Sequence, residues 1–174
     1  MTNKYIWILI MMFSIFGKTF GQKKETTDYN KTSNQLNELA FLIDKSFPFV
    51  EDLLKKYGEY YPFSFVLNTD NTVQGVGRHD GNDKPDSQEI IKGLKDVLKL
   101  ETKKNKIKGI AIFYDVKTTN PKTNQKTDAV AVFVEHRDGQ GAYTFYYPYK
   151  LTDKKELTFG DSFGNAATRE IFSK

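Results

Sequence analysis

The sequence predicts an α+β fold: an antiparallel sheet of about five to six strands with helices on both faces, in the order αββαβββ(β)α. Three successive runs of alternating or apolar residues between Lys106 and Lys150 are separated only by short polar segments, which predicts an antiparallel meander. Two earlier stretches carry apolar residues at three- and four-residue spacing, a pattern typical of amphipathic helices.

Length and composition fit one globular domain. The chain has 174 residues, of which 39% are hydrophobic, 28% charged and 14% aromatic, and this composition is not that of a disordered protein. It contains no cysteine. We therefore expect the apolar core to supply the stability, without disulfide bonds.

Residues 1–21 have the features of a secretory signal peptide. Lys4 is followed by an apolar run over residues 6–16, and Thr19-Phe20-Gly21 resembles a cleavage site. The apolar run is shorter than the roughly 20 residues that a permanent membrane helix needs, although an uncleaved anchor is the alternative. We expect an exported protein, periplasmic or secreted, cleaved before Gln22 and not held in the membrane.

Cleavage lowers the positive charge of the chain. Without Lys4 and Lys18 the 26 basic residues fall to 24, against 22 acidic residues, so the net charge falls from +4 to about +2. Nucleic-acid binding then loses its main support, and we expect no nucleic-acid partner.

The mature chain is expected to begin with a polar tether. Residues 22–31 have almost no apolar side chain and predict a flexible linker, so that residues 32–174 form the single domain. The apolar spacing over residues 33–57 predicts the first helix. Thr32 fits its N-cap, and Pro48 predicts a kink or two shorter helices.

The next elements are a hairpin and a second helix. Residues 61–67 and 72–78 flank a turn-forming segment and predict two paired strands. After a polar loop, Asp86 and Glu89 form a capping-box pattern, and the apolar spacing over residues 90–98 predicts a helix.

The polar segments of the meander indicate its register. Centring the first loop pairs Phe113 with Val130, and a tight turn at residues 138–141 pairs Val134 with Phe145. Both faces are then apolar, and we expect both to be covered. One face carries Phe113, Val130, Val132, Val134, Tyr143, Phe145, Tyr147 and Tyr149. The other carries Ile110, Ile112, Ala129, Ala131, Phe133 and Tyr146.

The chain is predicted to end with a short strand at residues 157–159 and a helix over residues 163–172. This order of elements matches profilin-like or roadblock-like architectures, with ferredoxin-like or cystatin-like layouts as the alternative. Such a match concerns the fold alone and carries no function.

The histidines do not form a recognisable metal motif. His79 lies in a predicted loop and His136 near a strand end, without ligand spacing. Glu135 precedes His136 directly, so the two side chains alternate across the sheet. The oxygen-rich loop at residues 79–86 departs from the calcium-binding pattern at Lys84. We therefore expect no metal and no cofactor.

Two carboxylates are predicted to face each other on neighbouring strands. In the expected register Asp115 lies opposite Asp128, and paired carboxylates can share a proton or divide acid and base roles. The alternative is that Lys117 and Lys126 neutralise both at the solvent end of the hairpin.

The last strand of the meander is rich in tyrosine. Alternation places most of these rings in the core, but tyrosines on a partly open sheet face are favoured in protein interfaces. The chain has no cysteine nucleophile. The candidate binding residues are Tyr143, Tyr147, Tyr149, Asp115, Asp128, Glu135 and His136, and no catalytic residue is predicted.

Several short strings resemble, in the same order, those of small bacterial single-domain proteins of uncharacterised function, some of them immunity-like: YPF at 61–63, DAV at 128–130, EHRDG at 135–139 and YPY at 147–149. The resemblance supplies no functional residues. We predict an exported, non-catalytic protein-binding domain of immunity-like or inhibitor-like type. A small-ligand sensor and a metal-dependent hydrolase are the alternatives.

Overall fold

The computed structural model describes residues 22–77 and 86–172, and the side chains from residue 32 onward. The predicted signal peptide and the loop containing His79 lie outside the described residues. No helix within the described ranges is long and apolar enough to cross a membrane. The elements are α1 (Gln22–Tyr57), β1 (Phe63–Asn68), β2 (Val73–Val76), α2 (Ser87–Thr102), β3 (Ile107–Thr119), β4 (Lys126–His136), β5 (Ala142–Leu151), β6 (Leu157–Phe159) and β7 (Phe163–Ala167).

All strands of the described chain belong to one antiparallel sheet, which confirms the α+β class. The order across the sheet is β2-β1-β3-β4-β5-β6, and β7 also pairs with β5. Both β6 and β7 occupy the outer edge of β5, at opposite ends of it. Between them lies Pro148, which has no N–H to donate and whose carbonyl oxygen accepts from the Gly160 N–H, at 2.8 Å.

The predicted C-terminal helix is wrong, because residues 163–167 form the edge strand β7. The Phe163 ring of β7 stacks on the Tyr146 ring, with the two centroids 5.0 Å apart. Gly164 lies against Phe145, where an added Cβ would be only 2.7 Å from the ring. Glycine and asparagine are poor helix formers, so pairing with an open sheet edge outweighs the weak helical pattern.

The first helix starts earlier than expected. It begins at Gln22, so residues 22–31, predicted to be a flexible linker, are helical, and Thr32 is not the N-cap. Five of its ten residues are Lys, Gln or Glu, which are good helix formers. At the other end Gly58, which has a φ of 87° and donates its N–H to Leu54 O, is the left-handed glycine that commonly ends a helix.

Pro48 does not divide α1 into two helices. The neighbouring Phe47 and Val50 are fully buried in the core. Helices in proteins are stabilised mainly by such packing, which offsets the hydrogen bond that proline removes.

The meander is confirmed, but its register is shifted by two residues from the prediction. Phe113 pairs with Val132, and Val134 pairs with Tyr143. The first loop is centred further along the chain, where Asn124 adopts a positive φ. Because side chains alternate with a period of two, an even shift leaves every residue on its predicted face.

The core is divided between two clusters. The cluster around α1 includes Ala111 and Phe113 of β3, whereas the cluster around α2 includes the alternate residues Ile110 and Ile112. The second helix begins as predicted, because Asp86 accepts hydrogen bonds from the backbone N–H groups of Gln88 and Glu89.

Candidate functional site

A cleft of about 680 Å³ lies at the end of the sheet where α1 stops. This volume is within the range of small-molecule sites in proteins, about 300–1,000 Å³. We call it the Asp115 cleft. Its lining residues within the described ranges are Leu53, Tyr57, Glu59, Tyr60, Tyr61, Ser87 and Asp115.

The cleft exists because β3 is longer than its neighbour β1. The pairing of the two strands ends at Phe63 with Phe113, so Asp115 lies beyond the end of β1. Gly58 ends α1 with a left-handed turn, and the segment from Glu59 to Tyr61 then crosses this open side. These elements leave a concave space beside the Asp115 carboxyl.

Asp115 is half-buried, and its carboxylate accepts a hydrogen bond of 2.9 Å from the Tyr149 hydroxyl. The pKa of Asp115 is raised to about 6. Burial is the main cause, the charges of Asp128 and Glu59 act in the same direction, and the Tyr149 hydrogen bond opposes them. Tyr60 is the other titratable group that interacts with this carboxyl. At neutral pH the cleft therefore contains a carboxylate that is costly to keep ionised.

Tyr60 contributes a hydroxyl with an unused hydrogen-bonding capacity. Its ring packs on Phe63, with centroids 5.4 Å apart, and its hydroxyl is buried without a hydrogen-bond partner in the described part of the chain. Burial, followed by the charge of Asp115, raises the pKa of Tyr60 well above its usual value. A buried hydroxyl left unpaired costs about 1–3 kcal/mol.

The rim of the cleft is aromatic and acidic. The side chains of Tyr57 and Tyr61 are 60% and 55% exposed, which is unusual for large rings. The ammonium group of Lys56 lies 4.9 Å from the centroid of the Tyr57 ring. Among the lining residues that the structure describes, Glu59 and Asp115 are acidic and none is basic.

The predicted pairing of Asp115 with Asp128 is wrong. Asp115 lies opposite Val130, and Asp128 lies opposite Lys117. The two-residue shift in register separates the carboxylates, although Asp128 is still close enough to raise the pKa of Asp115. An opposed pair that shares a proton is therefore not present at this site.

The tyrosines of β5 are not an exposed patch. Tyr147 is 4% exposed and Tyr149 7% exposed, and Tyr143 is half-buried. Tyr147 packs edge-on against Phe47 of α1, at 4.9 Å. The helix thus covers the face on which the sequence predicted an interface, and of these three tyrosines Tyr149 is the one that hydrogen-bonds the cleft residue Asp115.

Glu135 anchors the C-terminal segment. Its side chain is fully buried, and its carboxylate accepts backbone N–H groups from three consecutive residues, 170–172, at 2.8–2.9 Å. It also accepts from Arg169 Nε at 3.1 Å. The same guanidinium donates to the carbonyl oxygens of His136, Arg137, Gly139 and Phe172. Because these contacts use the carboxylate fully, Glu135 is structural.

His136 belongs to a separate ion-pair network. Its Nδ1 accepts from the Asp138 N–H, so its Nε2 donates to Glu38, at 2.7 Å. Lys108 donates to the other Glu38 oxygen at 2.5 Å. Burial lowers the pKa of His136, opposed by Glu38. For Glu38, burial acts to raise the pKa, but the hydrogen bonds from Lys108 and His136 together lower it.

Metal binding finds no support in the geometry of the described residues. Across residues 22–77 and 86–172, no three His, Asp or Glu side chains come together in a way that could hold an ion. Glu135 and His136 point into different networks, as alternation along a strand requires.

Sequence reasoning missed most of the cleft. The sequence patterns assign Tyr57 to the end of a helix and Tyr61 to the start of a strand, and they assign Glu59 and Tyr60 to no element. The string YGEYY between a helix and a strand carries three rings and an acid around a glycine stop. That concentration of tyrosine in a connection is the signal that indicates the site.

No protein-family model, curated protein or solved structure matches this chain. The resemblance to small immunity-like proteins therefore stays a prediction.

Proposed function

We propose that this protein binds a small molecule in the Asp115 cleft and is not a catalyst. The observation that carries this proposal is the half-buried Asp115 carboxylate, which lines a cavity of about 680 Å³ beside the buried, unpaired hydroxyl of Tyr60. Ligand sites combine apolar walls with a few polar groups that fix orientation. Leu53 and the tyrosine rings form such walls, and Tyr60 and Asp115 are the polar groups.

Binding is favoured over catalysis by the chemistry of the lining. Nucleophilic catalysis needs a nucleophile hydrogen-bonded to a base, and the described lining contains neither histidine nor lysine. The Asp115 carboxylate is hydrogen-bonded to Tyr149, which is not a cleft-lining nucleophile. The arrangement is suited to recognition.

A fragment screen by heteronuclear NMR tests the proposal. We expect hits that shift the amide signals of Glu59, Tyr60 and Asp115, and that bind at least about tenfold more weakly to Tyr60→Phe and Asp115→Asn. Asp153→Asn, in an exposed loop far along the chain, is the control and should bind as the wild type does. Hits that map to other surfaces, or that tolerate both cleft variants, would contradict the proposal.

Protein binding is the second candidate function. The observation that favours it is the pair of exposed rings, Tyr57 and Tyr61, at the rim of the cleft, since tyrosine is enriched at interface hot spots. Pull-down with Tyr57→Ala plus Tyr61→Ala, compared with Tyr143→Ala on the sheet, separates the two candidates. Selective loss of a bound protein in the first variant would favour the protein partner.

We also infer that the protein is exported and that α1 and α2 cover opposite faces of the sheet, as in profilin-like folds. The alternate residues of β3 pack in different clusters with the two helices, which supports the second inference. Export is tested by N-terminal sequencing of the protein recovered outside the cytoplasm. The sequence should begin at Gln22, and an intact Met1 in the membrane fraction would indicate an anchor.

A further inference from the structure

We infer that the ligand of the Asp115 cleft is an organic amine: a protonated ammonium group carried on an apolar or aromatic body. This inference rests on the proposed function and names its ligand class. It follows from the charge of the lining, the exposed rings and the size of the cleft.

The charge of the lining selects a cation. The carboxylates of Glu59 and Asp115 both line the cleft, and no lysine or arginine is among its described lining residues. Asp128 lies near enough to affect Asp115. Transfer of an anionic ligand from water into this acidic cleft is unfavourable, whereas a bound cation relieves the repulsion between the carboxylates.

The Asp115 carboxylate has acceptor capacity to spare. A carboxylate offers about four acceptor positions, and Asp115 uses one for the Tyr149 hydroxyl and one for the backbone of Val116. An ammonium group brings up to three donors. It therefore fits an oxygen-lined position that a neutral hydrocarbon would leave unsatisfied.

The tyrosine rings supply the second contact for a cation. An ammonium group within about 6 Å of a tyrosine centroid is attracted by the ring face. Lys56 already lies in this way over Tyr57, at 4.9 Å, so the exposed Tyr61 ring at the same rim is the one that can take a ligand cation. A ligand with its ammonium at Asp115 can place apolar groups against both rings.

The size of the cleft requires more than an ammonium ion. A volume of about 680 Å³ accommodates an organic body, and Leu53 and the rings present apolar surface to it. Removing that surface from water contributes about 25 cal/mol per Å². The class that satisfies charge, rings and volume together is an amine with an apolar chain or ring.

Three probes that share a phenylethyl group and differ in charge test this inference. Phenethylamine, 2-phenylethanol and 3-phenylpropionate are titrated into the purified protein and followed by heteronuclear NMR. We expect phenethylamine to bind about tenfold more tightly than the alcohol, the propionate to be weakest, and the amine affinity to fall as salt rises. The shifted signals should be those of Glu59, Tyr60 and Asp115.

Two variants assign the charge selectivity to the carboxylates. Asp115→Asn should lower the amine affinity about tenfold and leave the alcohol affinity nearly unchanged, and Glu59→Gln, at an exposed position, should lower it about threefold. Asp161→Asn, whose partner is Lys122, is the matched control and should have no effect. Thermal unfolding of each variant verifies that it is folded.

The outcomes distinguish a wrong ligand class from a wrong proposed function. If the alcohol or the propionate binds in the cleft as tightly as the amine, the amine class is wrong although small-molecule binding stands. If phenethylamine shifts no cleft signal, the amine class is also wrong. If, in addition, no fragment of any charge binds there, the proposed function fails as well.

Discussion

The Tyr149 hydroxyl donates a hydrogen bond to the Asp115 carboxylate at 2.9 Å, although β4 lies between the strands that carry the two residues. Asp115 pairs with Val130 of β4, and Tyr149 pairs with Asp128 of the same strand. The long tyrosine side chain therefore reaches diagonally across one strand. This contact connects the cleft carboxyl to the packed face of the sheet.

The pKa of Asp115 is the first prediction. Side-chain carbon signals followed by NMR from pH 3 to 9 should give a pKa of about 6 for Asp115, because burial disfavours its charged form. Tyr149→Phe removes a hydrogen bond to the ionised carboxylate and should raise this pKa further. Tyr143→Phe, on the same strand, is the control. A lower or unchanged pKa in Tyr149→Phe would contradict the assignment.

The same carboxyl should affect stability in a pH-dependent manner. Its folded-state pKa of about 6 is above the unfolded value of about 3.9. The folded state therefore binds more protons between these values, and the contribution of Asp115 to stability is complete below about pH 3.9 and lost as pH rises through 6. In urea unfolding, the free energy of unfolding of Asp115→Asn relative to that of the wild type should be higher at pH 7.5 than at pH 4.

Asp70 offers a contrast of opposite sign. The hydrogen bonds from Thr72 lower the pKa of Asp70, so its contribution is present above the unfolded pKa and lost as pH falls. The free energy of unfolding of Asp70→Asn relative to that of the wild type should be lower at pH 7.5 than at pH 4. The prediction for Asp115 is refuted if both variants show the same trend.

Glu135 should be the most important carboxylate for stability. It is fully buried and satisfies Arg169 and three backbone N–H groups. Breaking a buried pair of this kind costs about 3–5 kcal/mol, so Glu135→Gln should lower the free energy of unfolding by about that amount in urea denaturation.

An exposed ion pair provides the control for Glu135. Glu101 pairs with Lys104 on the surface, and such pairs contribute about 0–1 kcal/mol. Glu101→Gln should thus have little effect. A loss in Glu135→Gln as small as that in Glu101→Gln would mean that the C-terminal segment is held by other contacts.

Gly164 is predicted to be required by the β5–β7 contact. An added Cβ would lie 2.7 Å from Phe145 Cδ1 and 3.2 Å from the Thr144 carbonyl oxygen. Gly164→Ala should cost about 1–3 kcal/mol, because overpacking forces ring and backbone to move. Gly77→Ala is the matched control, since no atom lies within 4 Å of the added Cβ. Equal unfolding midpoints for the two variants would contradict a close β7 edge.

Much of the fold is predictable because side-chain periodicity is local. The α+β class, the hairpin, the Asp86 cap and the meander are all encoded in patterns shorter than about 15 residues. Even with the register wrong, Phe113 and Val132 were assigned to the correct face, since the error was even. The C-terminal helix failed because an open sheet edge, which is a non-local partner, competes with weak helix propensity.

The candidate site was predicted only in part. The sequence indicates Asp115 and Tyr149 as candidate binding residues. It does so because it predicts a pair of opposed carboxylates and an exposed tyrosine patch, and neither of these is present. Burial of Tyr149 depends on where α1 crosses the sheet. Glu59 and Tyr60 were missed because connections between elements carry no periodic signal.

The sequence by itself determined most of the elements, the faces of the strands and the low net charge, because these follow from residue type and spacing along the chain. Only the tertiary structure decided that β3 extends past β1, that Tyr149 reaches Asp115 over β4, and that the Tyr60 hydroxyl is buried without a partner. These relationships join residues from distant parts of the chain. Their energies depend on burial and on the atoms that surround each group, and neither is a property of a local pattern.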